Sequence, residues 1–199
     1  MVQRSKRDDI LNTAGRLFLE NGFQAVSMDQ IAAAVPVSKP TLYAHFKDKK
    51  DLFLACIEGR CAKAMSFLQD DIDHGVNVEQ TLIAFGNHFL ELLLSKQALQ
   101  FHRLVVGESE TFPEMAELFY ETGPKKMHDL LEKYLREADK QGKLKIRDAS
   151  LSAEIFIAML KGKTHLRALL GITKKEISAK EREKLAAALV SFFIRAHQN

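Results

Sequence analysis

Apolar residues recur at helical spacing through most of this chain. Ile10, Ala14, Leu17 and Phe18 share one face of a first helix, and Asn21-Gly22-Phe23 ends it. Ile31, Ala32 and Val35 mark a second helix. Ser27 opens it, with Gln30 three residues on, the pattern of a capping box. Pro36 closes it, because the residue before a proline is pushed out of the helical region. Ser38 is a further N-cap, and Pro40 fits a first turn, where its missing N–H would have no partner anyway. The third helix is short, Lys39 to about His45. Leu42 and Phe46 fall on its inner side, and Lys39, Pro40, Tyr43 and His45 look outward. A helix, a turn and a short helix with a polar and aromatic outer face is the geometry that enters a DNA major groove.

The remainder also reads as helices. A long one runs over 48–71, with Leu52, Phe53, Cys56, Ile57, Ala64 and Phe67 on its buried side. Others are expected over 78–94, 97–107, 113–123, 125–140, 150–170 and 178–197, with a turn at 142–147 and a Ser178/Glu181 capping box. The fold class is therefore all-α. In the last helix Leu185, Leu189, Phe192 and Ala196 cluster on one face, and Ala186, Val190, Phe193 and Ile194 widen it. The apolar arc is roughly 200°, against the ~100° that one core requires. Either the helix is deeply buried, or one side packs on its own subunit and the other on a partner. The preceding helix supplies Ala153, Ala158 and Gly162, small enough for close helix contact.

Composition narrows the class. No run of eighteen apolar residues is present, so no membrane span is expected. The opening MVQRSKRDDI has no apolar signal region, and two cysteines without a pairing pattern fit a reducing compartment, so the expected location is cytoplasmic. Residues 1–50 carry eight Lys/Arg and five Asp/Glu, whereas 51–199 carry 21 of each. The whole positive excess thus lies on the segment with the helix-turn-helix, as DNA binding needs.

With these residues in view, the segment resembles the helix-turn-helix of the TetR family of bacterial transcriptional regulators. Ile31, Ala32, Val37, Ser38, Thr41, Leu42, Tyr43, His45, Phe46, Lys47, Lys49 and Leu52 stand in the family's register. Two departures are present. Val35-Pro36 replaces the usual Ala-Gly, and a proline is not expected to take the positive φ that glycine supplies, so a differently shaped turn is expected. Pro40 replaces a frequent glycine. The stretch from Phe101 to Pro124 and the later LRALLG resemble the AefR-like subgroup. The resemblance implies a helix-turn-helix DNA-binding domain over 1–53 and a helical effector-binding and dimerisation domain over 54–199. It also implies a homodimer through 150–170 and 178–197 on a double-stranded operator.

Lys39, opening the recognition helix, is the candidate for a base edge, and Pro40 for a thymine methyl. Tyr43 and Lys49 are expected on phosphates, Lys49 beside helix N–H groups that favour anions. Thr41 and His45 share the helix, and Ser27 and Met28 are placed to reach the flanking backbone. For a small hydrophobic or aromatic effector the expected lining is Phe85, Phe89, Phe101, Leu104, Phe112, Met115, Phe119 and Met159, with His165 among the polar groups. A dry, filled core would give the same pattern.

Other chemistry is weak. Gly162-Lys163-Thr164 lacks the earlier glycine of a phosphate loop, where Ile157 stands. His88 and Glu91 have no second pair to complete a metal site, and Cys56 and Cys61 read as buried structural thiols. No enzyme activity, metal or cofactor is expected. The expected function is a sequence-specific repressor released by a small hydrophobic ligand. The alternative is a DNA-associated structural or interaction protein of the same fold with no inducer.

Overall fold

The computed structural model describes residues 5–173 and 177–198. The first four residues, part of the basic N-terminal segment read above, lie outside the described residues. The helices are α1 (Lys6–Asn21), α2 (Met28–Ala34), α3 (Lys39–His45), α4 (Lys49–His74), α5 (Val78–Leu94), α6 (Lys96–Glu108), α7 (Pro113–Thr122), α8 (Pro124–Lys140), α9 (Ala149–Leu169) and α10 (Ala179–Ala196). No strand occurs among the described residues, in line with the all-α expectation. The starts follow from side-chain chemistry. Ser27 and Ser178 form the expected capping boxes, and Ser38 caps α3. Ser5 with Asp8 makes a third box, and Asn77 and Asp148 cap α5 and α9.

The chain divides into two compact units. The first comprises Met1–Ala62 and Gln100–Thr122. Its core joins Ile10, Phe18, Ile31, Leu42, Phe46, Leu52 and Phe53 to Phe101, Val105 and Met115. Phe18 meets Phe53 edge-on at 4.9 Å, and Phe23 meets Phe112 at 5.1 Å. Such aromatic pairs add roughly 0.5–1.5 kcal/mol beyond their burial. This packing differs from the 1–53 and 54–199 partition, because α6 and α7 complete the first core with side chains distant in sequence.

The second unit comprises Lys63–Leu99 and Gly123–Asn199. Here α5 packs on α9 and α10, and α8 packs on α9. Gly86 permits the approach of α5: a Cβ there would lie 3.3 Å from Leu160 Cδ2 and 3.5 Å from Ala186 Cβ. Phe156 and Phe193 close the core edge-on at 5.0 Å.

Two helix expectations need correction. Phe67 is not on the buried side of α4; it is 58% exposed, and its neighbour Leu68 is buried instead. The two residues lie about 100° apart on a helix, and only the neighbours available for packing choose between them. The 150–170 helix is also interrupted. Gly162, at φ 35° and ψ −159°, breaks α9, a conformation open to a residue without a Cβ.

Within its own chain α10 buries one face only. Ala186, Val190 and Phe193 are buried, whereas Phe192 is 61% exposed. On α9, Leu151 and Ile155 are likewise exposed large apolar residues, with Ala158 exposed at helical spacing from them, and Leu166 is exposed beyond the break at Gly162. Ala153 is fully buried in its own core, so of the three small residues it is unavailable for contact with another chain.

Candidate nucleic-acid interface

The interface is built on two capped helix starts. At α2, the Ser27 N–H donates to Gln30 Oε1 at 2.8 Å, and the Gln30 N–H donates to Ser27 Oγ at 3.2 Å. At α3, the Thr41 N–H donates to Ser38 Oγ at 3.2 Å, and the Ser38 and Thr41 hydroxyls share a 2.7 Å hydrogen bond. The turn between them is set by Val35 N–H on the Ile31 carbonyl and Val37 N–H on the Ala32 carbonyl. Pro36 sits in it at φ 27°. The positive φ is retained rather than avoided, contrary to the expectation from the sequence. The ring's own preference is about −65°. Val35, just before Pro36, is buried, and Val37, just after it, is partly buried.

Behind α3, Leu42 is fully buried, and Phe46 is buried under the Arg7 guanidinium, 5.3 Å above its ring. This leaves Lys39, Pro40, Tyr43 and His45 exposed on the outer face of one short helix. Those four expected contact residues are brought together. The hydroxyls of Ser27 and Thr41 are engaged in caps, and Met28 has its side chain in the apolar core, which leaves its backbone for any contact.

Lys49 has local partners. Its ammonium donates to the Phe23 carbonyl at 2.9 Å and the Gln24 carbonyl at 3.2 Å, and lies 4.6 Å from the centre of the Phe23 ring. It therefore ties α4 to the α1–α2 loop. The helix start beside it is also served by carboxylates: the Asp51 N–H donates to Asp48 Oδ1 at 2.8 Å, and the Lys47 N–H to Asp51 Oδ2 at 2.9 Å. The anion-attracting N–H groups expected there are thus partly engaged.

Asp29 is the residue the sequence reading missed. Its Oδ2 accepts a hydrogen bond from the Lys39 ammonium at 2.8 Å. That hydrogen bond, with the carboxylate charge, holds the Lys39 ammonium above the usual lysine range. The signal lay in the caps. Asp29 follows Ser27 by two positions and Lys39 follows Ser38 by one, so a helix-turn-helix that brings the starts together brings this pair together.

The residues expected to line an effector cavity fall into two sets. Phe101, Leu104, Phe112, Met115 and Phe119 belong to the apolar cluster of the first unit, around Phe23 and Phe53. Phe85, Phe89 and Met159 belong to that of the second unit, where His165 is also buried. Of the weighed metal pair, His88 bonds Asp71 at 2.7 Å and Glu91 meets Arg182 at 3.4 Å. Among the described residues, His128, Asp129 and Glu132 form a grouping with metal-ligand chemistry, but Glu132 is engaged by Arg136. Cys56 is buried, its thiol pushed up to about 12 by desolvation against the nearby Arg60 and Arg7 charges. Cys61 is buried as well.

Comparison with known proteins adds an independent line. Residues 10–56 match the family described as bacterial regulatory proteins, tetR family, and residues 80–199 match the AefR-like transcriptional repressor C-terminal domain. The Transposon Tn10 TetC protein of Escherichia coli is 28% identical over 140 residues, covering 67% of this chain and 68% of TetC. The solved structure of the flavonoid-responsive regulator FrrA is 34% identical, with a TM-score of 0.77 and 97% of each chain covered. A TetR-family chain from Mesorhizobium loti MAFF303099 is 22% identical with a TM-score of 0.89, covering 98% of this chain and 97% of its own; it shows the shared fold.

Proposed function

This chain belongs to the TetR family of bacterial DNA-binding transcriptional regulators, and from that premise we propose a dimeric repressor that a small hydrophobic ligand releases from its operator. The observation that carries the reading is the outer face of α3, where Lys39, Pro40, Tyr43 and His45 stand exposed over buried Leu42 and Phe46. In this reading two such helices enter successive major grooves of a pseudo-palindromic site, about 34–36 Å apart. Lys39 reads a base edge, Pro40 meets a thymine methyl, and Tyr43 holds a phosphate. Lys49 has two of its three N–H groups on carbonyls, and the third is free for a phosphate.

The dimer is assigned to α9 and α10. Leu151, Ile155, Leu166 and Phe192 expose apolar area that their own chain leaves uncovered, and a two-fold contact covers one such patch with its copy. Repression is the sign favoured by the C-terminal match, which is to a repressor domain. The operator is a cytoplasmic partner, and no helix among the described residues is long and apolar enough to cross a membrane.

For the effector, FrrA is flavonoid-responsive, and the second unit offers aromatic and thioether walls at Phe85, Phe89 and Met159 with His165 as a polar group. Ligand recognition is assigned to these. Phe101, Leu104, Phe112, Met115 and Phe119, packed in the first unit's core, are assigned to the response. Release requires that ligand prefer the conformation that does not bind DNA. The inducer-free alternative is disfavoured by the ligand response of FrrA.

Selection from a random duplex pool tests the core of the reading: a two-fold motif should emerge, and a pool that enriches nothing refutes it. Thermal shift with flavonoids and other apolar aromatics tests the effector. At 100 times Kd the stabilisation should approach ~2.7 kcal/mol.

A further inference from the structure

We propose that Asp29 is a specificity-determining residue of the DNA interface, holding the Lys39 ammonium on α2 until a correct base edge displaces it. The inference rests on the DNA-binding reading above. Its geometry is the 2.8 Å contact from Lys39 Nζ to Asp29 Oδ2, with both side chains more than half exposed. The cap of α2 at Ser27 and the cap of α3 at Ser38 fix the backbone at both ends of the pair. Phe46 and Leu42 hold α3 from beneath. Such an exposed pair contributes little to folding. Its consequence falls on whatever approaches that surface.

Non-specific DNA affinity comes from cations that replace counterions on phosphates. A lysine already neutralised by a carboxylate contributes little of this. The carboxylate also repels any duplex that cannot offer Lys39 a better partner, which is discrimination by a repulsive element. A guanine edge offers two acceptors, O6 and N7, in the major groove. There the ammonium exchanges one oxygen for two, and the exposed Asp29 carboxylate is left to water. The pair thus lowers affinity for random DNA more than for the operator.

The test uses the full-length protein, its selected operator and a random duplex of equal length. Asp29→Asn keeps the size and removes the charge. It should bind random DNA several-fold more tightly, with the slope of log K against log salt steeper by about 0.9 per subunit, and the operator-to-random ratio should fall. In a Lys39→Met background the same Asp29→Asn change should leave that ratio unaltered. Melting curves should coincide with wild type, since the pair is exposed. The proposal is overturned if Asp29→Asn raises affinity for both duplexes equally, or changes the ratio as much without Lys39 as with it. A wild-type protein that selects an operator while either of these occurs defeats this inference alone. One that selects no motif defeats the DNA-binding reading with it.

Discussion

The outer faces of α3 and α10 are both exposed, and they are made of opposite material. On and around α3 the polar groups are largely engaged: Thr41 in a cap, Lys39 on Asp29, Lys49 on two carbonyls. On α10, Phe192 faces outward with its large apolar surface uncovered, one position before the buried Phe193. The difference separates two kinds of recognition. A DNA-reading face is held in shape by bonds that a phosphate or base must compete with. An association face is held in shape by the core behind it and needs only a matching apolar surface.

The largest effect should come from adjacent positions on α10. Phe192→Arg puts a charge where the proposed partner packs. We expect a few kcal/mol of lost association, read by light scattering as monomer at micromolar concentration, with a folded circular dichroism spectrum. Phe193→Arg, 1% exposed in the wild type, should instead fail to fold. A dimeric Phe192→Arg protein would remove α10 from the interface.

Lys49→Met comes next. Removal of the ammonium leaves the Phe23 and Gln24 carbonyls without this donor, and since one contact is part-buried and the other exposed the cost is roughly 0.5–1.5 kcal/mol. The melting temperature should drop as well as DNA affinity. Loss of affinity at unchanged melting temperature would make Lys49 a phosphate contact and nothing more.

The smallest effect concerns Lys161, where burial alone pushes the ammonium below the usual lysine range. A lysine whose folded value is depressed holds its proton less well when folded. Stability should therefore rise with pH, from that lowered value up to the unfolded lysine range. In Lys161→Met this rise should vanish, and the protein should melt slightly higher at neutral pH.

These cases show where the sequence was informative. The helix-turn-helix was legible because its signals are local: Ser27 with Gln30, Ser38 with Pro40, and Leu42 with Phe46 each act within one or two turns. The choice between Phe67 and Leu68 was not, since periodicity leaves adjacent apolar residues ambiguous. Gly162 reads as a tolerated glycine in a helical run until its dihedrals are known. The Asp29–Lys39 pair and the two carbonyls on Lys49 are contacts across loops, which no helical repeat encodes. The membership of α6 and α7 in the first core is longer-range still.

That last feature bears on how such regulators can be recombined. Phe101, Val105 and Met115 reach the first unit only after the chain has travelled through another compact body and returned. A hybrid made by grafting residues 1–53 onto a foreign effector module would inherit the DNA-reading helix and lose three of its supporting side chains. Cassette exchange should succeed only when 100–122 travels too, or when the recipient happens to carry matching side chains there. Substitutions at Phe23 or Phe53 should then be rescued by changes some fifty to ninety positions downstream, at Phe101 and Phe112.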